Sequence, residues 1–286
     1  MRVGTVTEIW RYPVKSMGGE RLERSTIGPQ GVVGDRGWAV RDETAGEIRG
    51  AKKLPELLRC SARYVEEPAN SRIPAAEIAF PDDARVRTDG ADAAARLSAF
   101  LGRPVTLWPL RPPDELAHYR RGLPDDPDLE TELRAIFGRL PDEPLPDLSV
   151  FPQELFEYTS IPGTYFDALP LHVLTTASLR EGERLAPSSR FDRRRFRPNV
   201  LVEPDDGTRG FVESDWCGRM LRVGGATVQV EMGTARCSMT IQPQGDLPKD
   251  PTVLRTIVRH AGQNLGVYAS IVTPGPVEVG DRVELG

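Results

Sequence analysis

Val3-Gly4-Thr5-Val6-Thr7-Glu8-Ile9-Trp10-Arg11-Tyr12 carries the reading on which the fold turns. Val3, Thr5, Thr7 and Ile9 alternate with Gly4, Val6, Glu8 and Trp10, the two-residue period of a pleated strand, and Pro13 stops the run. Downstream, the glycine-rich turn Gly28-Pro29-Gln30-Gly31-Val32-Val33-Gly34-Asp35 leads into a strand over 38–42. Glu43-Thr44-Ala45-Gly46 then predicts a hairpin. Further strands are expected over 60–66, 77–80 and 105–110, and a helix over 91–101 that stops at Gly102. From Leu169 the pattern repeats. Strands are predicted over 171–174, 199–202, 220–223, 227–231 and 277–285, with a helix entered after Thr175 and another over 252–261.

Residues 111–165 differ. They are rich in proline and in acidic patches such as Pro124-Asp125-Asp126-Pro127-Asp128, with one helix predicted over 129–137. This reads as a connecting segment or surface insertion. The expected fold is mainly β (α+β): two β-barrel-like domains, over 1–110 and 166–286, with a few short helices and an irregular Pro-rich insertion.

The 286 residues suffice for one large domain or two modest ones. Thirty-seven Lys and Arg against 42 Asp and Glu give a net charge of −5, which argues against a nucleic-acid binder. No apolar run is long enough to span a bilayer, and the N-terminus lacks the features of a signal peptide, so no membrane association and a cytoplasmic location are expected. Three cysteines and three histidines, with no C-x-x-C and no H-E-x-x-H, exclude a disulfide framework and the common zinc sites. The hydrolase elbow, the Walker loop and the dinucleotide fingerprint are also missing.

Cys237, in Met232-Gly233-Thr234-Ala235-Arg236-Cys237-Ser238-Met239, follows a predicted strand beside an arginine, a setting that favours the thiolate and hence a soft metal or an electrophile. A buried cysteine acting as a small apolar residue fits the same local sequence. In Arg190-Phe191-Asp192-Arg193-Arg194-Arg195-Phe196-Arg197-Pro198-Asn199, Arg197 stands out because Pro198 fixes the chain and Asn199 opens a strand. Several of the other arginines are expected to be solvated or paired with nearby acids. Lys15 and Ser16, between Pro13 and the pair Gly18-Gly19, can hold an anion on a loop, and Arg36 stands in a second loop near a strand start.

Taken in order, Tyr-Pro-Val-Lys-Ser, Gly-Asp-Arg-x-Trp, Arg-x-Arg-Pro-Asn and Ala-Arg-Cys resemble MOSC-domain proteins. The likeness is to the branch with an N-terminal MOSC-type β-barrel, which includes the mitochondrial amidoxime-reducing component and its bacterial relatives. The resemblance implies a molybdenum cofactor (Mo-molybdopterin), with Cys237 as the thiolate on the metal and Asp167 beside the open coordination region. It also implies that Lys15, Ser16, Arg36, Arg197 and Asn199 contact the cofactor. Relatives carry hydroxyl side chains where this chain has Ala168 and Leu169, so only main-chain donors are expected there.

The implied activity is an oxidoreductase acting on small N-hydroxylated compounds. Without a flavin, haem or ferredoxin motif in the chain, electrons would come from a separate ferredoxin-, flavin- or haem-type protein. The alternative is a sulfur or molybdenum-cofactor carrier with a persulfide on Cys237. A partner-binding β-barrel without cofactor is a third reading.

Overall fold

Alternation along the first strand holds only halfway. Arg2–Arg11 buries Gly4 and Val6, then Ile9 and Arg11, because the register slips between Val6 and Glu8. A bulge of this kind moves the inward face by one residue, so Val3, Thr5, Thr7 and Ile9 do not share a face. The computed structural model describes residues 1–69, 72–205 and 207–286. Its architecture is mostly β, with a closed seven-strand barrel and six short helices.

Around the barrel, Arg2–Arg11 lies between Val200–Pro204 and Arg282–Leu285, and the circle continues through Met220–Val223, Ala226–Ala235, Asn264–Thr273 and Leu171–Thr175. Neighbours are antiparallel except Leu171–Thr175 with Val200–Pro204, whose parallel pairing uses the helix Thr176–Leu185 in its crossover. Thr175 caps that helix, accepting from the Ser178 N–H. The interior is filled by Leu221 and by Val6, Ile9, Val173, Val200, Val202, Val228, Val230, Val267 and Val283, β-branched residues that suit a pleated wall.

A second body has its own core, in which Val14, Met17, Val40, Leu57, Ile78, Leu97 and Val105 meet. One three-stranded sheet joins Val105–Pro109, Trp38–Asp42 and Glu47–Ile48; another joins Ser61–Tyr64, Ala76–Ala79 and Arg85–Arg87. Helix Ala93–Leu101 ends at Gly102, which takes the left-handed conformation that a side chain would resist. Single-residue bridges from Val14 to Trp38 and from Gly18 to Ser61 tie residues 14–18 to both sheets. That stretch leaves the barrel strand at Pro13, so its position relative to the barrel is set from both ends.

The strand expected over 277–285 is two strands, Gly275–Glu278 and Arg282–Leu285, separated by a turn with Gly280 at φ +96°. Asn264–Thr273 is a strand that the two-residue period does not reveal. It follows the bulged Ala226–Ala235 through three register shifts and buries Leu265, Gly266 and Val267 consecutively. Segment 111–165 holds the helices Leu116–Tyr119, Leu129–Phe137 and Glu154–Glu157. It is more deeply engaged than a surface insertion: Tyr119, Tyr158 and Tyr165 pack on Ala39 and Ile48. Among the described residues, no helix is long and apolar enough to cross a membrane.

Candidate functional site

Five described non-glycine residues have positive φ, and three of them are Ser16 (69°), Arg36 (51°) and Arg197 (58°). A left-handed conformation costs a residue with a Cβ roughly 1–2 kcal/mol. Three such residues meeting in one place mark backbone held for a purpose other than stability.

Arg36 and Arg197 both lie over the Tyr12 ring, their guanidinium carbons 4.9 and 4.1 Å from its centroid. Arg36 is paired with buried Asp35, which accepts from the Tyr12 N–H at 2.7 Å and from Asn199 Nδ2 at 2.8 Å. Asn199 also accepts from the His172 N–H at 3.1 Å. Asn199 is therefore spent on orienting Asp35 and a strand end. Burial pushes the Tyr12 hydroxyl up to about 12, so it stays protonated and donates to the Pro198 carbonyl at 3.0 Å.

Arg197 is different. One of its nitrogens donates to the Met17 carbonyl, while Nη2 is buried with no partner among the described residues. Burial lowers its pKa, and the like charge of Arg36 lowers it further. An unmatched donor on a buried cation is costly. Ser16 Oγ accepts from the Ala51 N–H at 2.8 Å, which leaves its own proton to donate.

Lys15 is buried and donates to the Tyr165 carbonyl at 2.7 Å and to Asp167 Oδ1 at 2.9 Å. Burial works against both charges, but Lys15, Lys52 and Arg36 outweigh it at Asp167 and hold its pKa far below the usual carboxylate range. Asp167 is ionised at neutral pH. A second ammonium, Lys52 Nζ, stands 3.7 Å from the same oxygen.

Cys237 begins the short 3₁₀ turn Ser238–Ile241 at the end of the barrel strand Ala226–Ala235. It is half-buried against Ala51, Leu58 and Met239. Its carbonyl accepts from Thr240 N–H and Oγ1–H at 3.1 and 2.9 Å. Ser238 Oγ donates to the Ile136 carbonyl at 2.9 Å, and Arg139 donates to the Arg236 carbonyl at 3.0 Å. The peptide before Cys237 is thus gripped from segment 111–165. The guanidinium of Arg236 is occupied by the carbonyls of Leu265 and Phe196 and by His172 Nε2.

The seven sequence candidates form one chain of contacts. Arg197 and Arg36 share the Tyr12 ring, Asn199 holds the partner of Arg36, and Lys15 holds Asp167. Cys237 packs against the cluster of Ala51, Leu58 and Met239, and the Ala51 N–H bonds to Ser16. Lys52, Tyr165 and Arg139 are additions made by the structure.

The MOSC domain model matches residues 160–284, and that of the MOSC N-terminal beta barrel domain matches residues 3–96. The chain is a MOSC-domain protein. Over 99% of its length this MOSC protein is 25% identical to mitochondrial amidoxime-reducing component 1 of Mus musculus, 83% of which is covered. Mitochondrial amidoxime reducing component 2 of Homo sapiens is 24% identical with the same coverages. Among solved structures, the YUAD protein of Bacillus subtilis matches 99% of this chain and 95% of its own, with a TM-score of 0.45 and 12% identity. YiiM of Escherichia coli matches 41% and 54%, with a TM-score of 0.32 and 21% identity.

Proposed function

We propose that this MOSC protein is a cytoplasmic molybdenum-cofactor oxidoreductase that reduces small N-hydroxylated compounds with electrons from a separate redox protein. The observation that carries the reading is the buried Arg197 Nη2, unpartnered among the described residues, with Ser16, Arg36 and Arg197 all in strained backbone. That donor set suits an anionic group such as the phosphate of a pterin cofactor. The half-buried thiol of Cys237 suits a soft metal. No described cluster of three or more His, Cys, Asp and Glu side chains could hold a metal ion. A metal at Cys237 would then take its other ligands from the cofactor's own sulfurs. The relatives named as amidoxime-reducing components supply the reaction class.

When bound, the cofactor supplies the two-electron chemistry that breaking an N–O bond requires. The chain's residues do the rest. Arg36, Arg197 and the Ser16 hydroxyl hold the anionic end. Asn199 keeps Asp35 in place and Asp35 keeps Arg36 in place. Cys237 presents its Sγ from a turn fixed by Thr240, Ser238 and Arg139. Asp167, ionised beside Lys15, accepts from a substrate N–H or O–H and orients it. The ammonium groups of Lys15 and Lys52 are the nearest charged donors to that carboxylate.

The test is the molybdenum and pterin content of protein made in a host that synthesises the cofactor. The parent is expected to hold molybdenum stoichiometrically and to reduce amidoximes. Cys237→Ser and Arg197→Ala are each expected to lose most of that metal, since each leaves a charged or soft contact unmatched. Equal molybdenum content in all three proteins overturns the assignment. A stable Cys237 persulfide in metal-free protein that never acquires molybdenum points to sulfur carriage instead.

A further inference from the structure

The cations of the site are held to different degrees, and Arg197 keeps Nη2 free of any partner among the described residues. Lys15 bonds a carbonyl and Asp167, Arg36 bonds Asp35, and Arg197 bonds the Met17 carbonyl. Lys52 Nζ approaches Asp167 only to 3.7 Å, beyond hydrogen-bond length, and makes no hydrogen bond among the described residues. Its side chain keeps 31% of its surface exposed, against 6% for Lys15, so it reaches the site from the solvent side.

The groups acting on Lys52 also place it. Asp167 raises its pKa most, burial opposes this, and Cys237 and Tyr268 add to the rise. Around Arg197, after burial itself, the acting groups are Arg36, Tyr12, Asp35 and Asp167. Lys52 follows Ala51, whose cluster Cys237 packs against, whereas Arg36 and Arg197 lie over the Tyr12 ring.

Resting on the functional reading above, we propose that Lys52 recognises an anionic group on the substrate and selects N-hydroxylated compounds that carry a carboxylate. The ammonium offers free donors at the solvent-facing edge, where a substrate enters. Asp167 would repel a carboxylate placed against itself, but Lys15 already neutralises that charge. Lys52 is then the solvent-reaching cation beside Asp167, without a hydrogen bond among the described residues.

The experiment compares benzamidoxime with 4-carboxybenzamidoxime on holoenzyme reduced by a small-molecule viologen donor, for the parent, Lys52→Met and Lys52→Arg. In the parent, kcat/KM favours the carboxylated compound. In Lys52→Met the ratio of the two kcat/KM values falls about tenfold, the scale of one charge-assisted hydrogen bond, and Lys52→Arg keeps most of it. Calorimetric binding of 4-carboxybenzamidoxime to unreduced holoenzyme weakens by a similar factor in Lys52→Met. An unchanged ratio overturns the proposal. Loss of molybdenum from Lys52→Met also overturns it, because the cation would then serve the cofactor. If the parent reduces neither compound, the functional reading falls, and the binding comparison decides the inference on Lys52.

Discussion

The barrel and segment 111–165 invert each other's burial. The barrel fills its interior with valine, isoleucine and leucine. In the segment, Glu132, Arg139 and Glu143 are buried, while Leu116, Leu123, Leu129, Leu140, Val150 and Phe156 are exposed. Six of the nine exposed large hydrophobics among the described residues therefore lie in this one stretch. The barrel is held by non-directional removal of apolar surface from water. Beyond the tyrosines packed on Ala39 and Ile48, the segment is held by directional contacts: Glu132 with Lys53, Asp125 with Arg49, Glu143 with Arg255, and Arg139 with the Arg236 carbonyl. The lesson is that the segment contributes geometry more than stability, and the geometry it sets is that of the Cys237 turn.

Paired leucines break this comparison most sharply. Leu221 is fully buried in the barrel, and Leu221→Ala is expected to cost about 2–5 kcal/mol in urea unfolding. Leu123 is 88% exposed, and Leu123→Ala is expected to stay within about 0.5 kcal/mol. Similar costs for the two would remove the contrast. Next in size is Arg139→Ala, which leaves the Arg236 carbonyl and Gln263 Oε1 without a donor. It is expected to cost about 1–3 kcal/mol and to make Cys237 alkylate faster in metal-free protein, as mapped by mass spectrometry. Unchanged labelling would show that the grip does not reach the thiol.

The third prediction sets one histidine from each region against the other. Burial lowers the pKa of both, helped by Arg236 at His172 in the barrel and by Arg111 at His118 in the segment. A depressed histidine pKa means that the folded state favours the neutral ring. The stability tied to it is whole above about pH 6.5 and is lost as pH falls below that value, by at most about 1.4 kcal/mol per pH unit for each ring. His172 is fully buried and shifted well below the ordinary value, so His172→Gln is expected to flatten the stability curve between pH 7 and 5 more than His118→Gln does. Equal flattening in unfolding titrations contradicts the difference in burial.

Local order was legible in the residues wherever it depends on neighbours in the chain. Strands Trp38–Asp42 and Met220–Val223 and helix Leu129–Phe137 fall where alternation, spacing and caps place them. Asn264–Thr273 escapes because its bulges and Gly266, at φ +81°, destroy the period on which such readings depend. In the site, Lys15, Ser16, Arg36, Arg197 and Cys237 stand in motifs with proline, glycine or a strand end beside them. Lys52 sits in an ordinary loop. Its approach to Asp167, far away in sequence, is a fact of tertiary packing, and no local signal carries it. Arg139 is hidden for the same reason.

The pairing of Arg2–Arg11 with Val200–Pro204 on one side and Arg282–Leu285 on the other has a consequence for biosynthesis. The stave made first on the ribosome must wait for the one made last before the cask can be hooped. Until then the edge at Arg2–Thr5 is bare, and the nascent chain carries an open seam that chaperones or a premature stop codon would be the first to find.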